Sequence, residues 1–311
     1  MPAPAARAVL AAGAAVPRWA QLGCTLLAAG HLSMVLATGR FRGEHLLVDL
    51  LLGVCPWLGP QASRFALLGL PMWVTGLLFD NQGYWLHLRG PIHTGDLHAL
   101  ERALFPVGDG TAWSEWLAAR TSTGLDLLCG FAYATYIVEF MGMAVFLYFR
   151  GSHRAATLAW SFLFANVIGM AVYLLYPAAP PWYIAAHGPG PADLFARASA
   201  AGAGRFDALL GISYFSSFYG RNPNVFGAMP SLHVAYPLMV CLAVWNRGTP
   251  WRVPTLLYTL LMGFSAVYLQ HHYILDVLAG WVVAVVAFVA AEGVALRMNS
   301  LLFLGASRGR P

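Results

Sequence analysis

Two short clusters hold residues that can do chemistry together. One is Met229-Pro230-Ser231-Leu232-His233 and the other is His271-His272-Tyr273-Ile274-Leu275-Asp276. His272 and Asp276 lie four residues apart at the head of an apolar run, a spacing that puts both on one face of a helix. A carboxylate beside an imidazole fixes its tautomer, stabilises the imidazolium and leaves the other ring nitrogen a better nucleophile or base. His271 is one step round that helix and less well placed to meet Asp276. In the first cluster, Pro230 and Ser231 precede an apolar run and mark a helix start. The free N–H groups and dipole of a helix start favour a phosphate. Ser231 can donate to a phosphoryl oxygen, and His233 points from the first turn into the same place. Together the clusters read as a histidine phosphotransfer site, with one imidazole as nucleophile and the other as general acid and base. The plainer alternatives are a polar pair that ties two spans together and a serine that only caps. Ionisable groups inside membrane segments mark functional sites by default, which weighs against them.

The elements that must position these residues are membrane spans. Of 311 residues 59% are hydrophobic and 10% are charged, against about 25% charged in a soluble domain. A helix needs about 20 apolar residues to cross a bilayer. Apolar segments fall at roughly 20–39, 62–79, 124–149, 155–177, 231–247, 253–270 and 274–297. The stretch 46–58 is shorter, holds Asp49 and Pro56, and fits an interfacial helix or half of a broken span. No alternating strands of a membrane barrel are visible. The fold class is therefore all-α and polytopic, with six to eight spans. The Ala-rich start, with Arg7 and Arg18, precedes an apolar run that reads as a retained first span, a cleavable signal being the alternative.

Four regions follow: N-terminal transmembrane or interfacial helices over 1–79, an extracytoplasmic amphipathic loop over 80–123, a catalytic transmembrane core over 124–297 and a cytoplasmic tail over 298–311. Within the first long loop, Leu97 to Phe105 reads as an amphipathic helix. A second long loop, about 178–230, is rich in Gly, Ala and Pro. The short connections on one side collect Arg40, Arg42, Arg64, Arg150, Arg154, Arg247 and Arg252, and the tail adds Arg308 and Arg310. The positive-inside rule puts that side in the cytoplasm, so both clusters and both long loops face outward.

The net charge of +5 has no basic cluster behind it, so nucleic acid is not an expected partner. Cys24, Cys55, Cys129 and Cys241 lie in apolar segments without metal-ligand spacing and read as small core residues. Tyr176-Pro177-Ala178-Ala179-Pro180-Pro181-Trp182-Tyr183 stops a helix with proline and offers Tyr176 and Trp182 to the interface and the substrate. Arg221 is a candidate phosphate contact or a solvated charge. His93 and His98 give no reason to be read as metal ligands, and no cofactor or metal is expected.

These residues resemble the type 2 phosphatidic acid phosphatase superfamily, which carries Ser-x-His at one helix start and His-x-x-x-Asp at another, here Ser231/His233 and His272/Asp276. The closer similarity is to its sphingolipid-synthase branch, especially fungal inositol phosphorylceramide synthase. It rests on Phe226-Gly227-Ala228-Met229-Pro230-Ser231-Leu232-His233, on Pro177–Trp182, and on Phe206-Asp207 with Tyr214. The first loop, from Arg89-Gly90-Pro91-Ile92-His93 to Leu104-Phe105, resembles bacterial members of that branch, and the similarity covers about 80–290. It implies a six-helix transmembrane bundle with an extra N-terminal helix, in a bacterial inner membrane with the site facing the periplasm. One departure stands out. The phosphatases have a Lys and an Arg-Pro in their first motif and an Arg before the Asp in their third. This chain has no Lys, and Ser265 and Ala266 occupy the latter neighbourhood. Fewer cations suit a phosphodiester better than a phosphomonoester dianion, which favours headgroup exchange over monoester hydrolysis.

By resemblance, His272 attacks a phospholipid donor, Asp276 orients it, and a phosphohistidine forms. His233 protonates the leaving diacylglycerol and then deprotonates the lipid acceptor, a ceramide-like alcohol. Ser231 and Arg221 hold phosphoryl oxygens, and His271, Tyr176 and Trp182 complete the substrate site. A lipid phosphatase or phosphodiesterase using water is the alternative with the same residues. Haem held between His233 and His272 is a further arrangement. A transporter would show repeats and a midplane site, and no internal repeat is found.

Overall fold

Each of the seven apolar segments is helical in the computed structural model, which describes residues 16–302 and their side chains through residue 297. Arg7, Arg308, Arg310 and the expected tail over 298–311 therefore lie largely or wholly outside the described residues. In chain order the α-helices are α1 (Arg18–Ala37), α2 (Gly43–Val54), α3 (Pro60–Asp80), α4 (Asp96–Leu104), α5 (Trp113–Ala118), α6 (Thr123–Phe149), α7 (Arg154–Leu175), α8 (Pro181–His187), α9 (Ala203–Leu210), α10 (Tyr214–Tyr219), α11 (Leu232–Val244), α12 (Thr249–Tyr268) and α13 (Ile274–Leu302). Among the described residues there is no strand beyond isolated bridges. Five helices, α1, α3, α6, α7 and α13, are long and apolar enough to cross a membrane by length and composition. The chain is an all-α, multi-pass membrane protein. Large apolar side chains such as Val282, Val286 and Val289 of α13 are exposed, as a lipid-facing surface requires.

The chain forms two compact units. The first comprises the described parts of Met1–Leu77, Gly142–Phe164 and Phe288–Pro311. Here the stretch 46–58 is α2 followed by a 3-10 turn at Cys55–Trp57. Helix α2 lies along α1, tied by Thr25 Oγ1 donating to Gly53 O at 2.9 Å and Gln21 Nε2 donating to Pro56 O at 2.8 Å. His31 Nδ1 lies 2.9 Å from both oxygens of Asp49, and Trp73 Nε1 donates to Asp49 Oδ1 at 3.1 Å. Arg64 departs from its expected place in a connection: it sits inside α3 and is buried. Arg154 pairs with Glu292.

The second unit, Leu78–Met141 and Ala165–Ala287, contains both clusters of reactive residues. Helix α11 packs along α12, and an aromatic core including Tyr133, Phe206, Phe215 and Tyr268 fills the space around them. The expected amphipathic helix is α4, whose buried positions are Leu97 and Glu101, four apart. Three loops are laced together by backbone. His93 N–H donates to Pro177 O at 2.8 Å, Ala179 N–H to His93 O at 3.0 Å, Ala178 N–H to Phe226 O at 2.9 Å and Ala228 N–H to Ala178 O at 3.2 Å. This lacing satisfies the polar backbone of loops that carry little regular structure. It also fixes Ala228 next to the reactive residues.

Candidate active site

The two clusters meet. Ser231 takes the N-cap position of α11, and His233 is the second residue of that helix. Ser231 does not cap: its Oγ is buried with no hydrogen-bond partner. Its N–H donates instead to Asp276 O at 3.0 Å. Gly280, four residues on from Asp276, lets α13 come this close, because a Cβ there would collide with Ser231 O. Tyr173 of α7 donates its hydroxyl to Pro230 O at 3.0 Å and braces the same turn, which contains a cis Met229–Pro230 bond.

His233 Nδ1 stands 3.2 Å from His272 Nε2. On its other side, His272 Nδ1 is 2.8 Å from the carbonyl oxygen of Ala228. A carbonyl only accepts, so the hydrogen is on Nδ1 and Nε2 carries the lone pair. That lone pair faces His233. The 3.2 Å contact is a hydrogen bond when His233 Nδ1 carries the proton. The pair therefore presents a nucleophilic nitrogen and a proton donor to each other.

Asp276 Oδ2 is 3.6 Å from His272 Nδ1, close enough for a charge to be felt and too far for a good hydrogen bond. The reason is where the helix begins. Helix α13 starts at Ile274, so His272 precedes it and the shared-face spacing does not apply. Asp276 Oδ2 instead accepts the N–H of Tyr273 at 2.8 Å, a reach-back cap, while Oδ1 is buried with no hydrogen-bond partner. Glu101 supplies the rest of the cap. It is fully buried, and its oxygens accept the N–H groups of Ile274 at 3.1 Å and Leu275 at 3.4 Å. Burial pushes the Glu101 carboxyl above its ordinary value, with those N–H groups pulling the other way.

His271 makes no hydrogen bond or ion pair with Asp276. Its ring stacks on those of Tyr219 (4.4 Å, 13°) and Tyr133 (5.2 Å, 12°). His233 stacks on the same Tyr133 at 4.5 Å. Burial, and then the neighbouring His272, push His271 down to about 3, so it is neutral at physiological pH. The N–H groups of His271 and His272 both lie 3.1 Å from Ala266 O.

A cavity of about 70 Å³ opens onto all three histidines and is also lined by Trp182, Ser199, Tyr219, Asn222 and Asn224. Among the described residues, no arginine lines it. Arg221 is exposed and outside the lining. Tyr176 is also outside it, stacked on His93 at 3.9 Å. His233, His271, His272 and Trp182 are thus brought to one cavity, with Ser231 and Asp276 directly behind. Sequence reasoning missed Ala228, Glu101, Tyr133 and Tyr173. Only Glu101 had a signal, as an acid four residues from Leu97 on the apolar face of an amphipathic helix.

Residues 95–290 match the PAP2 superfamily. The chain is 35% identical over 250 residues to a phosphoinositol dihydroceramide synthase of Bacteroides thetaiotaomicron, covering 77% of this chain and 80% of that one. It is 31% identical over 206 residues to the catalytic subunit aur1 of the inositol phosphorylceramide synthase of Schizosaccharomyces pombe, covering 66% and 48% respectively. The inositol phosphorylceramide synthase of Candida albicans is 28% identical over 232 residues, covering 74% and 48%. The chain thus spans most of the bacterial relative and about half of the fungal ones. No solved structure matches it. With the Ser-x-His and His-x-x-x-Asp motifs meeting inside the matched region, the chain belongs to the PAP2 superfamily, on its inositol phosphorylceramide synthase side.

Proposed function

We propose that this protein is a membrane phosphotransferase that moves a phosphoinositol or similar headgroup from a phospholipid to a ceramide-like lipid through a phosphohistidine on His272. The observation that carries the reading is the tautomer of His272. Its Nδ1 hydrogen goes to Ala228 O, which leaves Nε2 as a lone pair opposite His233 in a cavity with no arginine among the described residues that line it. A phosphodiester with a single negative charge suits such a site. The names of the relatives support the same substrates.

Donor entry separates the two rings. His272 Nε2 then forms a bond to phosphorus as the diacylglycerol oxygen leaves, and His233, entering the step as the imidazolium, gives that oxygen its Nδ1 proton and is left neutral, ready to act as the base of the second half. The phosphorylated imidazole keeps its Nδ1 hydrogen and is cationic, and Asp276 at 3.6 Å offsets the charge. In the second half the acceptor hydroxyl gives its proton to His233, its oxygen bonds to phosphorus, and the bond to His272 breaks. The unpartnered Ser231 Oγ and the start of α11 serve the phosphoryl oxygens. Trp182 and His271 contact the donor. Tyr176 and Arg221, outside the cavity, act at its approach.

The arginine-rich connections support an orientation with the site on the periplasmic side of a bacterial inner membrane. The regions 80–123 and 124–297 serve as cover and catalytic core. Purified His272→Ala should lose headgroup transfer to ceramide by on the order of 10⁴-fold or more while its melting temperature stays near that of the parent. Full activity in that variant removes the assignment, and release of free headgroup phosphate without ceramide product selects hydrolysis instead.

A further inference from the structure

The wall of the cavity holds two buried groups whose hydrogen-bonding capacity is unused. Asn224 is 7% exposed, and its side-chain oxygen Oδ1 has no partner. Its amide nitrogen lies over Gly227, where even a Cβ would press on it at 3.0 Å. Its backbone N–H is already given to Asn222 Oδ1 at 3.0 Å. His271 is 5% exposed, and its Nε2 has no partner. The neutral ring has one N–H, and that one is given to the Ala200 backbone, so Nε2 is a lone pair. The residues that carry these two acceptors line the same cavity as the nucleophile, with the acceptor atoms buried just behind its surface, so that donor entry has to uncover them.

The chemistry of what they accept is restrictive. A phosphate diester oxygen is itself an acceptor and cannot satisfy either group. A trimethylammonium headgroup has no N–H or O–H to give. A primary ammonium has donors but brings a charge, and among the described residues that line the cavity there is no carboxylate to meet it. Hydroxyl groups fit both positions.

We propose that Asn224 and His271 select the donor lipid by each accepting a hydrogen bond from a headgroup hydroxyl, so that the site takes a phospholipid with a neutral polyol headgroup. This rests on the transfer reading above and adds the residues that read the headgroup. Loss of one such bond leaves a buried acceptor bare, a difference worth roughly ten- to a hundredfold in kcat/KM.

The test is a matrix of donors against variants of the full-length protein in detergent, with ceramide as acceptor. The donors are phosphatidylinositol, its monodeoxy ring analogues and phosphatidylethanolamine. The parent should prefer phosphatidylinositol over at least two monodeoxy analogues by roughly tenfold or more each. Asn224→Ala should erase the preference at one ring position, and His271→Phe, which keeps a ring against Tyr133 and Tyr219, at another. If Asn224→Ala fails to accumulate, His271→Phe decides alone. Variants that slow all donors equally, variants that change the KM for ceramide only, or a parent that uses phosphatidylethanolamine as well as phosphatidylinositol would each overturn the selection while leaving headgroup transfer standing. A parent that makes no ceramide product from any donor overturns the transfer reading and this proposal with it.

Discussion

His31 and Asp49 of the N-terminal unit meet at 2.9 Å through both carboxylate oxygens, and Trp73 adds a further donor. His272 and Asp276 stand 3.6 Å apart, each bonded elsewhere. Both pairs are buried, and both read as histidine next to aspartate. In the first, the carboxylate bonds its own histidine and Trp73 and holds three helices in register, with His31 Nε2 buried and turned to no partner among the described residues. In the second, the imidazole hydrogen is bound by a backbone carbonyl, one carboxylate oxygen is unpartnered, and the reactive nitrogen faces a cavity. A buried pair whose carboxylate is bonded to its own histidine is a tie, whereas one whose imidazole is held from behind with its reactive nitrogen facing a cavity is chemistry.

Neutralising the two carboxylates is the sharpest way to break that comparison. Asp276→Asn should lower kcat by on the order of 10²–10⁴-fold, because the cationic intermediate loses its counter-charge. Asp49→Asn should leave kcat per folded molecule near the parent value and cost about 1–3 kcal/mol of stability. Steady-state transfer assays alongside thermal unfolding separate the two. Equal losses of kcat would erase the distinction.

Glu101→Gln comes next. Glutamine keeps one acceptor for the first N–H groups of α13 and loses the charge that favours them, so kcat should fall by up to about tenfold. The effect passes through Asp276 and His272, and so KM for both lipids should hold while kcat drops. A change in KM alone would mean that α4 touches substrate directly.

The smallest effect concerns pH. Burial holds folded His271 at about 3, against an ordinary value of 6.5. Between those values the unfolded chain carries a proton that the folded chain lacks, so stability rises with pH there and is lost as pH falls below 6.5. The penalty is absent above that range. His271→Phe should therefore flatten the melting-temperature profile between about pH 4.5 and 6.5. An unchanged slope would show that His271 is protonated in the folded protein.

Much of the site was legible because its nucleophile and acid are side chains with fixed spacing. Ser231/His233 and His272/Asp276 stood out as chemistry set against apolar runs, and the runs themselves gave the helices. The direct His272–Asp276 bond was not borne by the fold, since the spacing argument assumed a helix that begins two residues later, at Ile274. The group that sets the His272 tautomer is the carbonyl of Ala228, and a backbone carbonyl has no residue signature. Glu101 caps α13 from 173 residues away, a distance that no local pattern spans. Tyr133, which backs two histidines at once, looked like any aromatic in an apolar helix.

The central claim is that His272 becomes covalently linked to the headgroup phosphate. Phosphatidylinositol labelled in the inositol ring, mixed with the purified protein without ceramide and quenched in alkali, tests it. The account predicts protein-bound label that is stable to alkali, labile to acid, mapped to His272 and discharged into product when ceramide is added. An active protein that never acquires label, or label mapped to another residue, would contradict it.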